Sequence, residues 1–377
     1  MKLKKILAVA LALLVFMGLC SGCANNDTSG NADDSTTAPP ASDDNTFELA
    51  LITDIGTIDD KSFNQGAWEG LNRYAGENNK TVWYYQPTEQ SDDAYLNAID
   101  LAVKSGAKVV VTPGYLFETP IYIAQDQYPE VKFILLDGSP HSQDYSTYET
   151  ADNTVGVTYA EEQSGFLAGY AAVKDGYRAL GFMGGMSVPA VKRFGYGFVQ
   201  GAEYAGQELG LAEGEVTIQY HYTGDFKATP EVQAMASSWY NSGAEVIFGC
   251  GGQVGNSVMK AAEQANKKVI GVDIDQSVES AAVITSAMKG LSVSVYDCVK
   301  DFYAGTFKGG QNIVFTAAND GVSLPMSASR FNTFSQADYD AVYAKLKDNS
   351  IEIWADVLDD VTVMSIGASI VAVTEVK

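Results

Sequence analysis

Cysteine is scarce in this sequence: four residues in 377, at Cys20, Cys23, Cys250 and Cys298. The first two fall in a short N-terminal stretch. Cys250 and Cys298 sit in separate segments without metal-ligand spacing, so neither a disulfide framework nor a zinc site is indicated. They read as small buried residues. Histidine is scarcer still, with His141 and His221 in no catalytic motif. G-x-S-x-G, H-E-x-x-H and the P-loop are absent. Gly249-Cys250-Gly251-Gly252 fails the dinucleotide-binding spacing, because Val254 stands where the third glycine belongs. Four tryptophans are fewer than a polysaccharide hydrolase would expose. Positive charge is also short: 24 Lys and Arg against 47 Asp and Glu give a net charge of −23. Such a surface repels phosphate backbones and argues against nucleic acid as a partner. No cofactor or metal is called for.

What is present begins with a leader. Met1 to Lys5 is basic, and Ile6 to Leu19 is an apolar run of fourteen, suited to a signal peptide and short for a membrane span. No later stretch approaches eighteen apolar residues. Ser21-Gly22-Cys23 resembles a bacterial lipobox, with Cys20 where leucine is usual. The expectation is a signal peptide over 1–22 and lipidation of Cys23. Ala24 to Asn45 has no leucine, isoleucine, valine or aromatic residue. It reads as a tether, with 23–45 leading to the folded part. An acylated Cys23 would hold the chain at the extracytoplasmic face of the cell membrane, each buried CH₂ contributing ~0.8 kcal/mol.

From Thr46 onward, short apolar runs alternate with helical spacing. Strands are expected at 46–53, 82–85, 108–112, 132–136 and 153–158, with helices at 62–78, 92–105 and 120–128. The pattern then restarts with helix 161–174, strand 179–183, helix 191–209, strand 216–222, helix 230–241, strand 245–250, helix 255–266 and strand 268–273. Two such series in one chain imply an α/β protein of two doubly wound parallel-sheet lobes. A chain of this length is also longer than one core usually serves.

Ligands of such sheets bind beyond the carboxyl ends of the strands. There the sequence places Asp54, the loop Gly56 to Asn64, Pro113-Gly114-Tyr115 and Asp137-Gly138-Ser139. The second series supplies Gly184-Gly185-Met186, Thr223 to Phe226, Gly251-Gly252-Gln253 and Asp273-Ile274-Asp275. Carboxylates, aromatics and bare backbone with little positive charge suit a neutral, planar, hydroxylated solute. Each residue has a plainer reading beside it. Asp54 is a turn or cap residue, or an acceptor for hydroxyls. Asp59 and Asp60 read as caps. Phe63 is core, or a stacking platform. Asn64 offers both a donor and an acceptor to a heterocycle edge. Asp137 is a turn aspartate, or accepts N–H bonds from a base. Asp273 and Asp275 form a D-x-D pair that suits a metal or, equally, the vicinal hydroxyls of a sugar. Lys289, after the apolar run 283–288, is solvated, or neutralises those aspartates.

Leu51 to Gly70, LITDIGTIDDKSFNQGAWEG, resembles the opening signature of the basic membrane protein family, substrate-binding lipoproteins of ABC importers that include purine-nucleoside receptors. The likeness extends over roughly 46–330. It takes in the helix 161–171, Phe182-Met183-Gly184-Gly185, Gly271 to Gln276 and Ile284 to Lys289. The resemblance implies a type I periplasmic-binding-protein fold whose lobes are joined by three crossovers. Lobe one would comprise 46–159 and 286–320, and lobe two 160–285 and 321–377. It implies a purine nucleoside held between Phe63 and Phe226, with Phe194 and Phe198 as substitutes for the latter, because Asp225-Phe226-Lys227 departs from the family's pattern. Asn64 and Asp137 would address the base; Asp54, Asp273 or Asp275 and Lys289 would hold the ribose. Tyr115 and Gly251 complete the expected site, and Cys250 stands where alanine is usual. A monomer that delivers its solute to an ABC permease follows. The alternatives are a binding protein for sugars or other polar solutes, and, from another class, a nucleoside or glycoside hydrolase.

Overall fold

The computed structural model describes residues 46–357 and 362–376. The expected signal segment 1–22, Cys23 and the tether 23–45 lie outside the described residues. Local chemistry accounts for the first elements. Strands β1 (Leu49–Ile52) and β3 (Val109–Pro113) are buried on both faces, as continuous apolar runs require. Helix α2 (Asp92–Lys104) starts where the Ser91 hydroxyl accepts the Ala94 N–H. It carries Asp92 and Asp93 in its first turn and Lys104 in its last, matching the helix dipole at both ends.

Two sheets organise the chain. The first runs β11-β5-β4-β3-β1-β2 and the second β12-β10-β9-β8-β6-β7-β13. Around β1 and β6 both follow the 2-1-3-4-5 order of doubly wound sheets, with all pairings parallel except β10 with the short β12. The first sheet includes β2 (Val82–Tyr85), β4 (Lys132–Leu136), β5 (Thr154–Tyr159) and β11 (Gln311–Phe315). The second includes β6 (Ala179–Gly184), β7 (Val216–Tyr222), β8 (Val246–Cys250), β9 (Lys268–Asp273), β10 (Val283–Lys289), β12 (Val322–Ser323) and β13 (Val371–Glu375). Helices α1 (Phe63–Glu77), α2 and α3 (Glu118–Gln127) accompany the first sheet; α4 (Glu161–Lys174), α5 (Pro189–Leu209), α6 (Pro230–Asn241), α7 (Val254–Ala265) and α9 (Gln336–Lys347) accompany the second.

The chain passes between the sheets at Ala160, at Gly290 and over 316–321. Helix α8 (Leu291–Tyr303) returns to pack on α1. The passages lie side by side: the Ala160 N–H donates to the Phe315 carbonyl, and the Gly290 N–H to that of Gly321. The boundary expected between 285 and 286 therefore moves. It falls inside β10, whose ladder to β9 continues through Met288, and the chain leaves the second sheet only after Lys289. The elements beyond 290 carried no assignment from sequence.

Helices α4 and α5 cross at backbone contact, which fixes the residues that reach the cleft. A methyl group on Gly165 or Gly169 would stand 2.0 Å from the carbonyl oxygen of Phe194 or Phe198. Neither carbonyl can retreat without moving a helix. Gly165→Ala is expected to destabilise the protein by about 1–3 kcal/mol. Chemical denaturation checks this, and an unchanged midpoint would show that the helices are not in contact.

Candidate functional site

A cavity of about 340 Å³ lies between the two sheets, at the carboxyl ends of β1, β3 and β4 on one side and of β6, β8, β9 and β10 on the other. These are the switch points where doubly wound sheets hold ligands, and the volume sits at the small end of the ~300–1,000 Å³ typical of ligand pockets. Of the expected residues, Asp54, Phe63, Asn64, Tyr115, Asp137, Phe226, Gly251, Asp273 and Lys289 all line it. Asp275 does not. Its carboxylate accepts the Ser277 N–H at 2.9 Å and shapes the next turn. Phe198 packs into the core against Phe248, whereas Phe194 reaches the cavity wall.

The loop after β1 is organised by carboxylates. Asp60 accepts the N–H groups of Ser62, Asn64 and Gln65 at 2.8–3.1 Å and so caps α1, as expected for at least one of the aspartates there. The Asn64 side-chain amide donates to Asp60 at 3.1 Å and to Asp54 at 2.9 Å. Asp54 also takes the Gly56 N–H at 2.7 Å. Burial pushes the Asp54 carboxyl up to about 6 and raises that of Asp60 as well. Across the cleft, the Ser62 hydroxyl donates to Asp273, whose carboxyl burial lifts to about 6.

Asp137 and Asp273 share an unusual backbone. Both follow or end a strand with φ in the left-handed region, +57° and +67°. Aspartate tolerates this better than most residues, and such positions gather at ligand sites. Lys289 is a buried cation between the lobes. Its ammonium lies 2.5 Å from Asp137 and 3.0 Å from Glu161, with the side chain 2% exposed. Arg193 holds the other oxygen of Glu161 at 2.6 Å. Burial alone would raise Glu161, but Lys289 and Arg193 outweigh it and hold the carboxyl below its ordinary range. Asp137 lies nearer the ammonium, yet burial outweighs it and pushes the carboxyl up to about 7. Burial would also lower the ammonium, yet Asp137, Glu161 and Asp273 together hold it above the usual lysine range. One oxygen of Asp137, Oδ1, is buried with no hydrogen-bond partner. A buried acceptor left open at a cavity wall is where a ligand N–H gains most.

The aromatic walls come from both lobes. The Lys289 ammonium sits 4.9 Å from the Phe63 ring centre and 5.4 Å from that of Phe194. Phe194 is otherwise spent on the core, edge-on to Phe248 at 5.9 Å. Phe226 is half-buried and lies on bare backbone: a methyl on Gly185 or Gly251 would meet its ring at 2.4 or 3.0 Å. Tyr115 bridges the lobes with its hydroxyl 3.9 Å from the Met186 sulfur. Glu161 and Arg193 were missed in the sequence, although a lysine ending an apolar strand needs a counter-ion and Glu161 opens a helix that is otherwise almost wholly buried.

Residues 47–355 match the Bmp family, described as ABC transporter substrate-binding protein PnrA-like. The ABC transporter nucleoside-binding protein BmpA of Lactococcus lactis subsp. cremoris is 28% identical over 344 residues, which cover 85% of this chain and 91% of that protein. An uncharacterized lipoprotein of Pyrococcus horikoshii is 28% identical over 319 residues, covering 82% of this chain and 74% of that protein. Among solved structures, a solute-binding protein of an Aeropyrum pernix K1 ABC transporter system superposes with a TM-score of 0.72. It is 23% identical and the match covers 84% of this chain and 95% of that one, a likeness that shows the fold.

Proposed function

The chain belongs to the Bmp family of PnrA-like ABC transporter substrate-binding proteins, and from that premise we propose that it captures a nucleoside, a purine one, between its lobes and hands it to an ABC permease. The observation that carries this reading is the open buried oxygen of Asp137 in a cavity walled by Phe63 and Phe226 and edged by Asp54 and Asp273. A base offers a flat face and N–H donors; a ribose offers hydroxyls to carboxylates. The nucleoside-binding relative supports the same ligand class. In this reading the base stacks between Phe63 and Phe226, Asn64 and Asp137 bond its edge, and Asp54, Asp273 and Lys289 hold the sugar. Asp275 has no part in it.

The cleft closes around the ligand as a hinge, and the protein works as a monomer held at the outer face of the membrane through an acylated Cys23. The lipoprotein among its relatives agrees with such an anchor. The family is one of solute-binding proteins rather than enzymes, so nucleosides should be recovered intact after incubation; free base released at catalytic rates would contradict the reading. Calorimetry with nucleosides, free bases and sugars tests the ligand: heat with a purine nucleoside is expected, and heat only with sugars would overturn it. Phe226→Ala is expected to weaken nucleoside binding by ~1–3 kcal/mol, the usual value of one aromatic–base stack. An unchanged affinity would move the second wall to Phe194.

A further inference from the structure

Gln276 stands next to the site without lining it. Its side chain is wholly buried, and nearly every polar group it has is committed within the second lobe. Its backbone N–H donates to the Ser286 hydroxyl at 3.1 Å, and its side-chain carbonyl accepts the Val272 N–H at 3.0 Å. A methyl on Gly271 would stand 2.4 Å from that side-chain oxygen, so the amide is wedged in one position. The exception is its NH₂ group, which leaves the lobe. It donates at 2.6 Å to the backbone carbonyl of Lys61 in the first lobe.

Both ends of this bond are held in place beforehand. Behind Gln276, the Asp275 carboxylate fixes the turn through the Ser277 N–H. The Arg330 guanidinium grips the carbonyls of Ser277 at 2.9 Å and Val283 at 2.6 Å. Opposite, Lys61 takes a left-handed backbone with φ of +62°, between Asp60, which caps α1 and holds Asn64, and Ser62, whose N–H that same carboxylate accepts at 2.8 Å. The bond therefore ties a rigid turn of one lobe to the loop that carries the ligand-facing residues of the other.

We propose that Gln276 is a latch: its amide N–H holds the Lys61 carbonyl only when the cleft is closed, and so sets the closed fraction and how long a captured solute stays. The inference rests on the two lobes acting as a closing clamp. It assigns Gln276 as a positioning residue that never touches the solute. Opening the cleft hands both groups to water, so the bond's net worth enters the open–closed equilibrium directly.

Gln276→Glu keeps the acceptor for Val272 and removes the donor to Lys61. Gln276→Met, uncharged and of equal length, carries the test should a buried carboxylate cost the fold. A fluorophore pair placed at the exposed positions Asp93 and Glu231 by non-cysteine chemistry reports lobe separation in single molecules of the full chain, with no ligand added. The closed-to-open ratio is expected to fall roughly three- to tenfold in Gln276→Met, and further in Gln276→Glu at pH 8. In Gln276→Glu it should recover as the pH falls, because a protonated carboxyl again donates to Lys61. A nucleoside, where it binds, should then dissociate faster from both variants at an unchanged association rate. Closed fractions equal to the parent's in both variants, or a parent that never closes without ligand, would overturn the latch. A chain that closes but gives no heat with nucleosides would instead overturn the proposed ligand and leave the latch standing.

Discussion

Replacing Lys289 with methionine is expected to cost the folded protein about 3–5 kcal/mol at pH 8, the loss usual when one member of a buried ion pair is removed. The side chain is 2% exposed and lies within 3.0 Å of both Asp137 and Glu161. Without it, Asp137 has no ion-pair partner among the described residues, and Glu161 keeps Arg193. Two buried carboxylates then face each other with little compensation, and burying an unpaired charge is costly. The sign of the pH effect follows. Asp137, already raised to about 7 by burial, would rise further once the ammonium is gone. In the variant an ionised Asp137 destabilises the fold, so stability should recover as the pH falls toward 5 and the carboxyl takes up its proton. Denaturant titrations of both proteins at pH 8 and pH 5 check this. A variant as stable as the parent at pH 8 would show that the cluster is solvated and not a dry cavity wall.

Ligand affinity is expected to rise about a hundredfold between pH 5 and pH 8. Asp137 titrates near 7 in the ligand-free protein. At pH 5 only ~1% of it is the carboxylate that accepts N–H bonds, and apparent affinity scales with the competent fraction. Asp54 and Asp273, each pushed up to about 6 by burial, act in the same direction. Stability of the ligand-free protein should move the other way. An unfolded aspartate titrates near 3.9, so between that pH and about 7 the folded state holds protons that the unfolded chain has lost. The stability these groups contribute is full below the unfolded value and is lost as the pH rises through 6 and 7. Glu161, held below its ordinary range, gives up its contribution only at lower pH, outside this window. Calorimetry in buffers of different ionisation heat should show protons released on binding near pH 6.5. Affinity that is flat from pH 5 to 8 would remove the carboxylates from contact with the ligand.

The sequence revealed the elements that depend on local pattern. Val109 to Thr112 and Phe133 to Leu136 are buried in strands because continuous β-branched and apolar runs suit a sheet covered on both faces. The aspartates at strand ends were legible because ligand sites of doubly wound sheets lie there, and the long signature at 51–70 named the family. What escaped depends on contacts between distant segments. The boundary near 286 was misplaced because nothing local separates β10 from the passage at Gly290. Glu161 and Arg193 are 32 residues apart on two helices, and meet only because glycines let α4 and α5 touch. Asp275 resembled its neighbour Asp273 in sequence, yet β9 ends between them and only Asp273 faces the cleft. Gln276 was visible in the family motif without a role, since its partner is a backbone carbonyl 215 residues away.

A crystal structure of the protein grown with a purine nucleoside tests the central claim most directly. The base is expected between Phe63 and Phe226, with a ring N–H on Asp137 Oδ1 and the ribose hydroxyls toward Asp54 and Asp273. A nucleoside bound elsewhere, or a cleft that instead holds an unrelated solute in its presence, would contradict it.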